Sequence, residues 1–445
     1  MLPFLIVLAA FILLLAAIDI YVYRNWRAFV RTRDGRGSRL LRWTLPIYLA
    51  LVPLMALLLP ATILLSNWWE VEPKLLRGAT AGAWILYYLP KVFIAIVLLV
   101  KDVVRGGAGM FGWVRRRSRR QESIATRGED ETVVQQPPVD SGAMQRREFL
   151  RKLGWSAAVV PYATVGYGVF RSVYDFEVIR VDVPLPDLPA AFDGMTIAQI
   201  SDIHAGSFFS GQPMMDVVDI IERLRPDMIA ITGDFVNNDV AELPLVLPSL
   251  NRLHAPLGVY GCLGNHDHYA RVDEVAETLQ ATPLQLLVNE HLTLNIDGAS
   301  LHLIGTDNTG FRQNHGDLPR AVSGIQPNDN GEEARILLAH DPTFWDGHVR
   351  PSDADIDLMM CGHTHGGQIG IELGPLRWGL AQPFYDRWAG LYREPRPTGG
   401  DQFLYVNRGV GTTGPPIRLG IRPEVTLLKL VRGVSCQLSA MSFGL

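Results

Sequence analysis

Five short polar clusters hold the side chains best suited to chemistry. They are Ser201-Asp202-Ile203-His204, Gly233-Asp234-Phe235-Val236-Asn237, Gly264-Asn265-His266-Asp267, His340-Asp341 and Gly362-His363-Thr364-His365-Gly366. Imidazole nitrogens mixed with carboxylate and amide oxygens suit divalent first-row metals, and the thiolates typical of structural zinc are missing from the set. In an extended segment alternate residues point the same way, so Asp202 with His204, and His363 with His365, can each present two donors together. Glycines at 233, 264 and 362 permit tight turns and close backbone approach. Taken singly, each cluster reads as readily as a turn or a cap. Their joint occurrence, each behind an apolar run, carries the inference of a metal centre. Cys361, two residues before His363, is read as a small buried strand residue, because a free cysteine usually behaves as a small hydrophobe. The three cysteines, Cys262, Cys361 and Cys436, make no disulfide framework.

The elements that must position these clusters are short. Thr196 to Ile200, Met228 to Thr232, Val259 to Leu263, Ile336 to Ala339, Leu358 to Cys361, Phe403 to Val406 and Val425 to Val431 read as strands, and Leu292 to Ile304 as a hairpin turning at Asp297-Gly298. Met214 to Leu224 and Val272 to Leu279 read as helices. The second of these carries Val272, Val275, Ala276 and Leu279 on one face. The alternation predicts an α/β (α+β) sandwich of mixed sheets over residues 175–433. Loops at strand ends are where open sheets gather ligands.

The amino-terminal part is of another kind. Mean hydropathy of the chain is +0.13, high for a sequence with 19% charged residues, and residues 1–104 account for it with three apolar stretches long enough to span a bilayer, which takes roughly 20 residues. Trp68, Trp69, Tyr87 and Tyr88 fall near span ends, as interfacial aromatics do. Residues 105–149 read as a flexible, basic cytoplasmic linker, residues 150–174 as a fourth membrane segment, and 434–445 as a tail. Arginines crowd the first connection (Arg24 to Arg42) and the third (Arg115 to Arg120), which makes both cytoplasmic and sends the domain after Tyr174 to the far, periplasmic side. Arg146-Arg147-Glu148-Phe149-Leu150-Arg151-Lys152 resembles a twin-arginine export signal, so the export machinery is an expected partner beside the bilayer itself. A net charge of -4 gives no reason to expect nucleic acid. Lys91 and Asp19 are intramembrane charges. A helix-to-helix pair is their plain reading, and a transport or sensing role the alternative.

The ordered blocks resemble the calcineurin-like metallophosphoesterase superfamily, whose pattern is Asp-x-His, Gly-Asp, Gly-Asn-His-Asp or Glu, a lone His and Gly-His-x-His. The likeness covers roughly residues 194 to 430. The tail from Asn407 to Gly414, with Pro416-Ile417-Arg418 and Pro423-Glu424, is similar to the membrane-anchored bacterial branch and to the transmembrane protein with metallophosphoesterase domain. The resemblance implies a four-layer sandwich, two mixed sheets flanked by helices, and two divalent ions. Manganese is expected, with iron, zinc or nickel as alternatives. Asp202, His204 and His365 would hold one ion, Asn265, His340 and His363 the other, and Asp234 would bridge them. Two metals about 3.5–4 Å apart would clamp the phosphoryl oxygens and generate a hydroxide at neutral pH. His266 would serve the leaving oxygen, and Asp267 would either orient His266 or stabilise the turn.

Substrate is less legible. The stretch from Gln368 to Phe403 interleaves aromatics with arginines, and Arg377, Trp378 and Trp388 are its candidate substrate-binding residues. Membrane attachment favours a lipid-linked phosphate ester. A UDP-2,3-diacylglucosamine hydrolase of lipid A synthesis, found among relatives of this branch, is one candidate, but it would need the cytoplasmic face. The competing classes are a non-catalytic metal-binding scaffold and a membrane sensor or transporter with a regulatory phosphoesterase domain. A scaffold is expected to have lost donors, and all seven are present.

Overall fold

A computed structural model of the chain describes residues 2–31, 44–58, 74–124, 149, 153–310, 313–326, 333–374, 376–396 and 399–433. The chain divides into two units, Met1–Gly166 and Tyr167–Leu445.

In the first unit, long apolar runs give helices α1 (Leu2–Arg31), α2 (Thr44–Leu58) and α3 (Lys74–Ile124), the last ending in a basic stretch. Spans Ala9–Phe29 and Thr80–Trp113 are long and apolar enough to cross a membrane. Helix α4 (Val159–Phe170) is shorter, with 12 residues. Helix α3 continues past residue 104, into the expected linker, to Ile124 through Gly106, Gly107 and Gly109. Extending an existing helix needs no new nucleus, so a few glycines at about 1 kcal/mol each do not stop it. The rest of that linker, with Arg146 and Arg147, lies outside the described residues, as do Trp68 and Trp69. Lys91 and Asp19 are buried against each other at 2.6 Å. The Tyr48 hydroxyl donates to Asp19, and the Lys91 ammonium lies 3.2 Å from the Tyr87 ring centre. Each charge therefore has its partner within the helices, as a structural pair requires.

In the second unit the expected strands appear within three residues of their predicted ends. In chain order they are β1 (Glu177–Leu185), β2 (Thr196–Ile200), β3 (Met228–Thr232), β4 (Val259–Cys262), β5 (Leu284–Leu286), β6 (Glu290–Ile296), β7 (Ala299–Gly305), β8 (Thr309–Gly310), β9 (Gln313–Asn314), β10 (Glu333–Leu338), β11 (Leu358–Cys361), β12 (Gly370–Leu373), β13 (Leu376–Gly379), β14 (Gly390–Pro395), β15 (Asp401–Val406) and β16 (Glu424–Arg432). Two six-stranded sheets form, in the orders β1-β16-β2-β3-β4-β5 and β14-β15-β11-β10-β7-β6. Both are mixed. β2 through β5 run parallel, as do β15, β11, β10 and β7, and an antiparallel pairing occurs in each sheet.

The sheets pack face to face through Ile197, Met228, Cys262, Leu303, Ile336, Met360, Phe403 and Leu428. Helices α5 (Gln212–Leu224) and α6 (Val272–Leu279) cover the outer face of the first sheet, burying Val217, Ile221, Val275 and Leu279. Leu318, Phe344, Trp345 and Val349 cover the outer face of the second. This is the four-layer sandwich. Central strands buried on both faces read as continuous apolar runs, which is why β3 and β11 were legible. Cys361 is buried, as expected.

Candidate metal centre

Each polar cluster lies directly beyond the carboxyl end of a strand: 201–204 after β2, 233–237 after β3, 263–267 after β4, 339–341 after β10 and 362–366 after β11. Parallel neighbours put these ends on one edge, and the two sheets bring the edges together. The donors do not lie in extended chain as predicted. Asp202, His204, Asp234, His363 and His365 all have positive φ, between 44° and 70°. Left-handed backbone is uncommon for residues other than glycine and gathers at functional sites, where the surroundings hold it. Here each donor occupies its own tight turn, and the turns rather than strand alternation aim the side chains. Two glycines are required by close approach. A Cβ on Gly264 would collide with the Asp234 carboxylate, and one on Gly362 with Ser201 and Asp202.

Six side chains converge. His204 Nε2 and His365 Nε2 are 3.1 Å apart, and Asp202 Oδ1 is 3.3 Å from His365 Nε2. His340 Nε2 is 3.2 Å from His363 Nδ1. Asp234 Oδ2 lies between these groups, 3.5 Å from His204 Nε2 and 3.1 Å from His340 Nε2. Asn265 Oδ1 is buried and accepts no hydrogen bond from the protein. Such an orphaned oxygen is costly unless a cation or a donor meets it. Imidazole, carboxylate and a free amide oxygen are a donor set that divalent ions accept. The clusters Asp202/His204/His365 and Asp234/His340/His363 each have ligand atoms close enough to share an ion.

The electrostatics are those of a buried charge cluster. Burial raises Asp202 to about 6 and lowers His204 to about 3. Burial opposes charge on His340 as well, but the Asp234 carboxylate outweighs it and lifts that histidine to about 10. Burial likewise pushes Asp234 up, yet His340 and His204 hold it below the usual carboxylate range. His340 Nδ1 donates to the Thr232 carbonyl at 2.7 Å, which leaves Nε2 turned inward, the usual way a ligating ring is oriented.

His266 and Asp267 separate in role. His266 Nδ1 is 2.5 Å from the Asn237 carbonyl, so that backbone oxygen orients the ring. Asp267 takes the turn-stabilising role instead. Its two oxygens accept from the backbone N–H groups of Asp234, Phe235, Val236 and Gly264 at 2.8–3.3 Å. Asp267 thus staples the Asp234 turn to the Asn265 turn. Burial, with Asp234 nearby, raises its pKa to about 7 against those four donors.

Of the three substrate-binding candidates, Arg377 and Trp388 lie together, with the guanidinium 5.6 Å from the ring centre, and Trp378 stands apart. Arg377 is engaged by Glu372 at 2.9 Å, Trp388 is 8% exposed and packs with Ala381 and Ile421, and Trp378 faces outward from β13. Aromatic and arginine content alone did not distinguish a packed ring from a presented one.

Three contributors went unassigned by sequence. Tyr385 Oη is 2.9 Å from His363 Nε2, and Asp341 Oδ2 is 3.4 Å from the same nitrogen. Asp341 adjoins His340, and that adjacency was its one signal. Arg418 is fully buried, and burial with Arg408 nearby lowers its pKa to about 9. It donates to the carbonyls of His365, Arg408, Gly409 and Gly411, tying the His365 turn to the loop beside Asp202. Arg418→Ala is expected to weaken metal affinity by roughly 10–100-fold, the usual cost of losing an outer-shell partner. Titration calorimetry with manganese checks it, and unchanged affinity in a folded variant would remove Arg418 from the site.

Known proteins bear on this geometry. Residues 195–367 match the family profile "Calcineurin-like phosphoesterase", and residues 2–173 match "Probable Calcineurin-like phosphoesterase, transmembrane domain". The chain is 31% identical to the metallophosphoesterase YkuE of Bacillus subtilis over 296 residues, covering 64% of this chain and 98% of that one. It is 28% identical to Phosphodiesterase YaeI of Escherichia coli, covering 65% of this chain and all of the relative. It is 30% identical to the transmembrane protein with metallophosphoesterase domain of Danio rerio, where the match spans 62% of each chain. The protein is membrane-associated and belongs to the calcineurin-like phosphoesterases, metal-dependent hydrolases of phosphate esters.

Proposed function

We propose that the chain is a membrane-anchored phosphoesterase working with two divalent cations, manganese being the expected metal. Asp202, His204 and His365 would hold one ion, Asn265, His340 and His363 the other, with Asp234 shared. The observation that carries this reading is the position of Asp234 Oδ2, within 3.5 Å of one histidine of each set. Bound there, the ions would polarise the phosphoryl oxygens and lower the pKa of an attacking water. The protein's own groups supply the rest. With Nδ1–H on the Asn237 carbonyl, His266 keeps Nε2 free to hold the proton that the leaving oxygen takes. The His266 backbone N–H donates to Asp234 Oδ1 at 2.8 Å, which fixes the shared carboxylate relative to that ring. The bond cut is a phosphate monoester, diester or pyrophosphate of a lipid-linked compound, a choice supported by the chain's own membrane segments. The arginine distribution supports a periplasmic site.

Purified full-length chain in detergent tests this. Bis(p-nitrophenyl) phosphate hydrolysis should vanish on chelation and return with manganese, and full activity after chelation would overturn the reading. Lipid phosphates, sugar nucleotides and simple diesters, assayed in parallel, identify the ester. A carboxyl-terminal reporter fusion reads the side of the membrane.

A further inference from the structure

The hairpin of β12 and β13 begins five residues after His365, and its pattern is inside out. A hairpin lying on a soluble domain normally turns its apolar face inward and its charges outward. Here the cross-strand pair Glu372 and Arg377 faces the protein. Arg377 donates to Glu372 at 2.9 Å, the buried Arg408 reaches Glu372 from beneath, and the Arg377 guanidinium lies 5.6 Å from the Trp388 ring centre. By strand alternation the cross-strand pairs Ile371 with Trp378 and Leu373 with Leu376 face away. These four are 46%, 40%, 70% and 57% exposed, and Leu380 and Phe384, which follow in the chain, are 44% and 81% exposed. A contiguous apolar patch of this kind marks an interaction surface.

We propose that this face docks into the surface of the bilayer that holds the chain's own apolar helices. Apolar-out, polar-in alternation is the pattern of lipid-facing β-structure. Tryptophan beside leucine and isoleucine suits the headgroup boundary. The choice of lipid over another protein follows from the chain itself, since spans Ala9–Phe29 and Thr80–Trp113 keep a bilayer within tether reach. Tethering makes the second contact intramolecular, so a patch too weak to bind vesicles alone can still engage. The following segment carries Tyr385, which touches His363. A docked hairpin therefore sets the rim of the metal centre at headgroup level, where phosphate esters of the bilayer lie. The docking itself does not depend on the ligand assignment proposed above.

Full-length protein in vesicles of phosphatidylethanolamine and phosphatidylglycerol tests the docking. Leu373→Cys and Leu376→Cys, each in a Cys436→Ser background, are labelled with an environment-sensitive fluorophore; Cys262 and Cys361 are buried. Glu222→Cys on α5 serves as the exposed control. Lipids carrying a nitroxide near the glycerol backbone should quench the hairpin labels several-fold more than the control. Equal quenching would overturn the proposal. So would a label shielded from aqueous iodide but untouched by the lipid quencher, because protein would then cover the face. Hydrolysis of bis(p-nitrophenyl) phosphate is followed in the same samples. It should be unchanged by these substitutions, and its absence would bear on the metal centre and leave the docking result standing.

Discussion

Asp234→Asn should lower metal-dependent hydrolysis of bis(p-nitrophenyl) phosphate by at least about a thousandfold, more than the 10–100-fold that an outer-shell partner typically contributes. The replacement keeps the shape and removes the charge. Asp234 Oδ2 is the oxygen placed between the His204 and His340 nitrogens, and Oδ1 accepts the His266 N–H. A neutral amide retains one acceptor oxygen at most. If that oxygen stays on the His266 N–H, the NH2 group faces the histidines and would repel a cation. If it flips, two donors oppose each other at His266. Either way the shared position loses its charge. Metal content should fall from two ions toward one or none, while near-ultraviolet circular dichroism stays native. Wild-type turnover in a folded Asp234→Asn protein would sink the two-metal assignment.

Much of this geometry was legible in the sequence, for identifiable reasons. β2, β3, β4 and β11 are short apolar runs stopped by a polar cluster, and a strand end on a parallel sheet is a natural ligand edge. The convergence of the clusters was therefore readable from order and spacing. The local conformation was not. Alternation in extended chain predicted that Asp202 and His204 point together, whereas left-handed turns aim them. Positive φ at aspartate and histidine has no sequence mark, since it is imposed by surroundings such as the Asp267 carboxylate and its four N–H donors.

The aromatic and arginine stretch was less legible, for the opposite reason. Its composition was conspicuous, but burial is decided by tertiary packing, so Trp388 is interior while Phe384 is outside. Periodicity held a usable signal there. In β12 and β13 the charged positions alternate with apolar ones, and only the sheet's attachment through Glu372 and Arg408 says which set faces in. Arg418 had no local signal at all, because it acts on four carbonyls distributed over two loops.

His266→Ala should cut turnover by roughly 10²–10⁴-fold, the range for losing a positioned acid or base, and leave metal content intact. His266 lies near His204, with ring centres 4.7 Å apart, and its side chain could in principle join His204 and Asp234 around one ion. The two roles predict different outcomes. A ligand would lower metal stoichiometry when removed. A proton donor would leave stoichiometry alone and make the loss depend on the leaving group. p-Nitrophenolate departs without much help, so its ester should lose least, while an alkyl phosphate ester, whose alkoxide needs the proton, should lose most. Asn237 gives an internal control, because its carbonyl and not its side chain holds Nδ1. Asn237→Ala should therefore preserve the leaving-group dependence of the wild type. Equal losses for both esters in His266→Ala, with a missing ion, would move His266 from the proton to the metal.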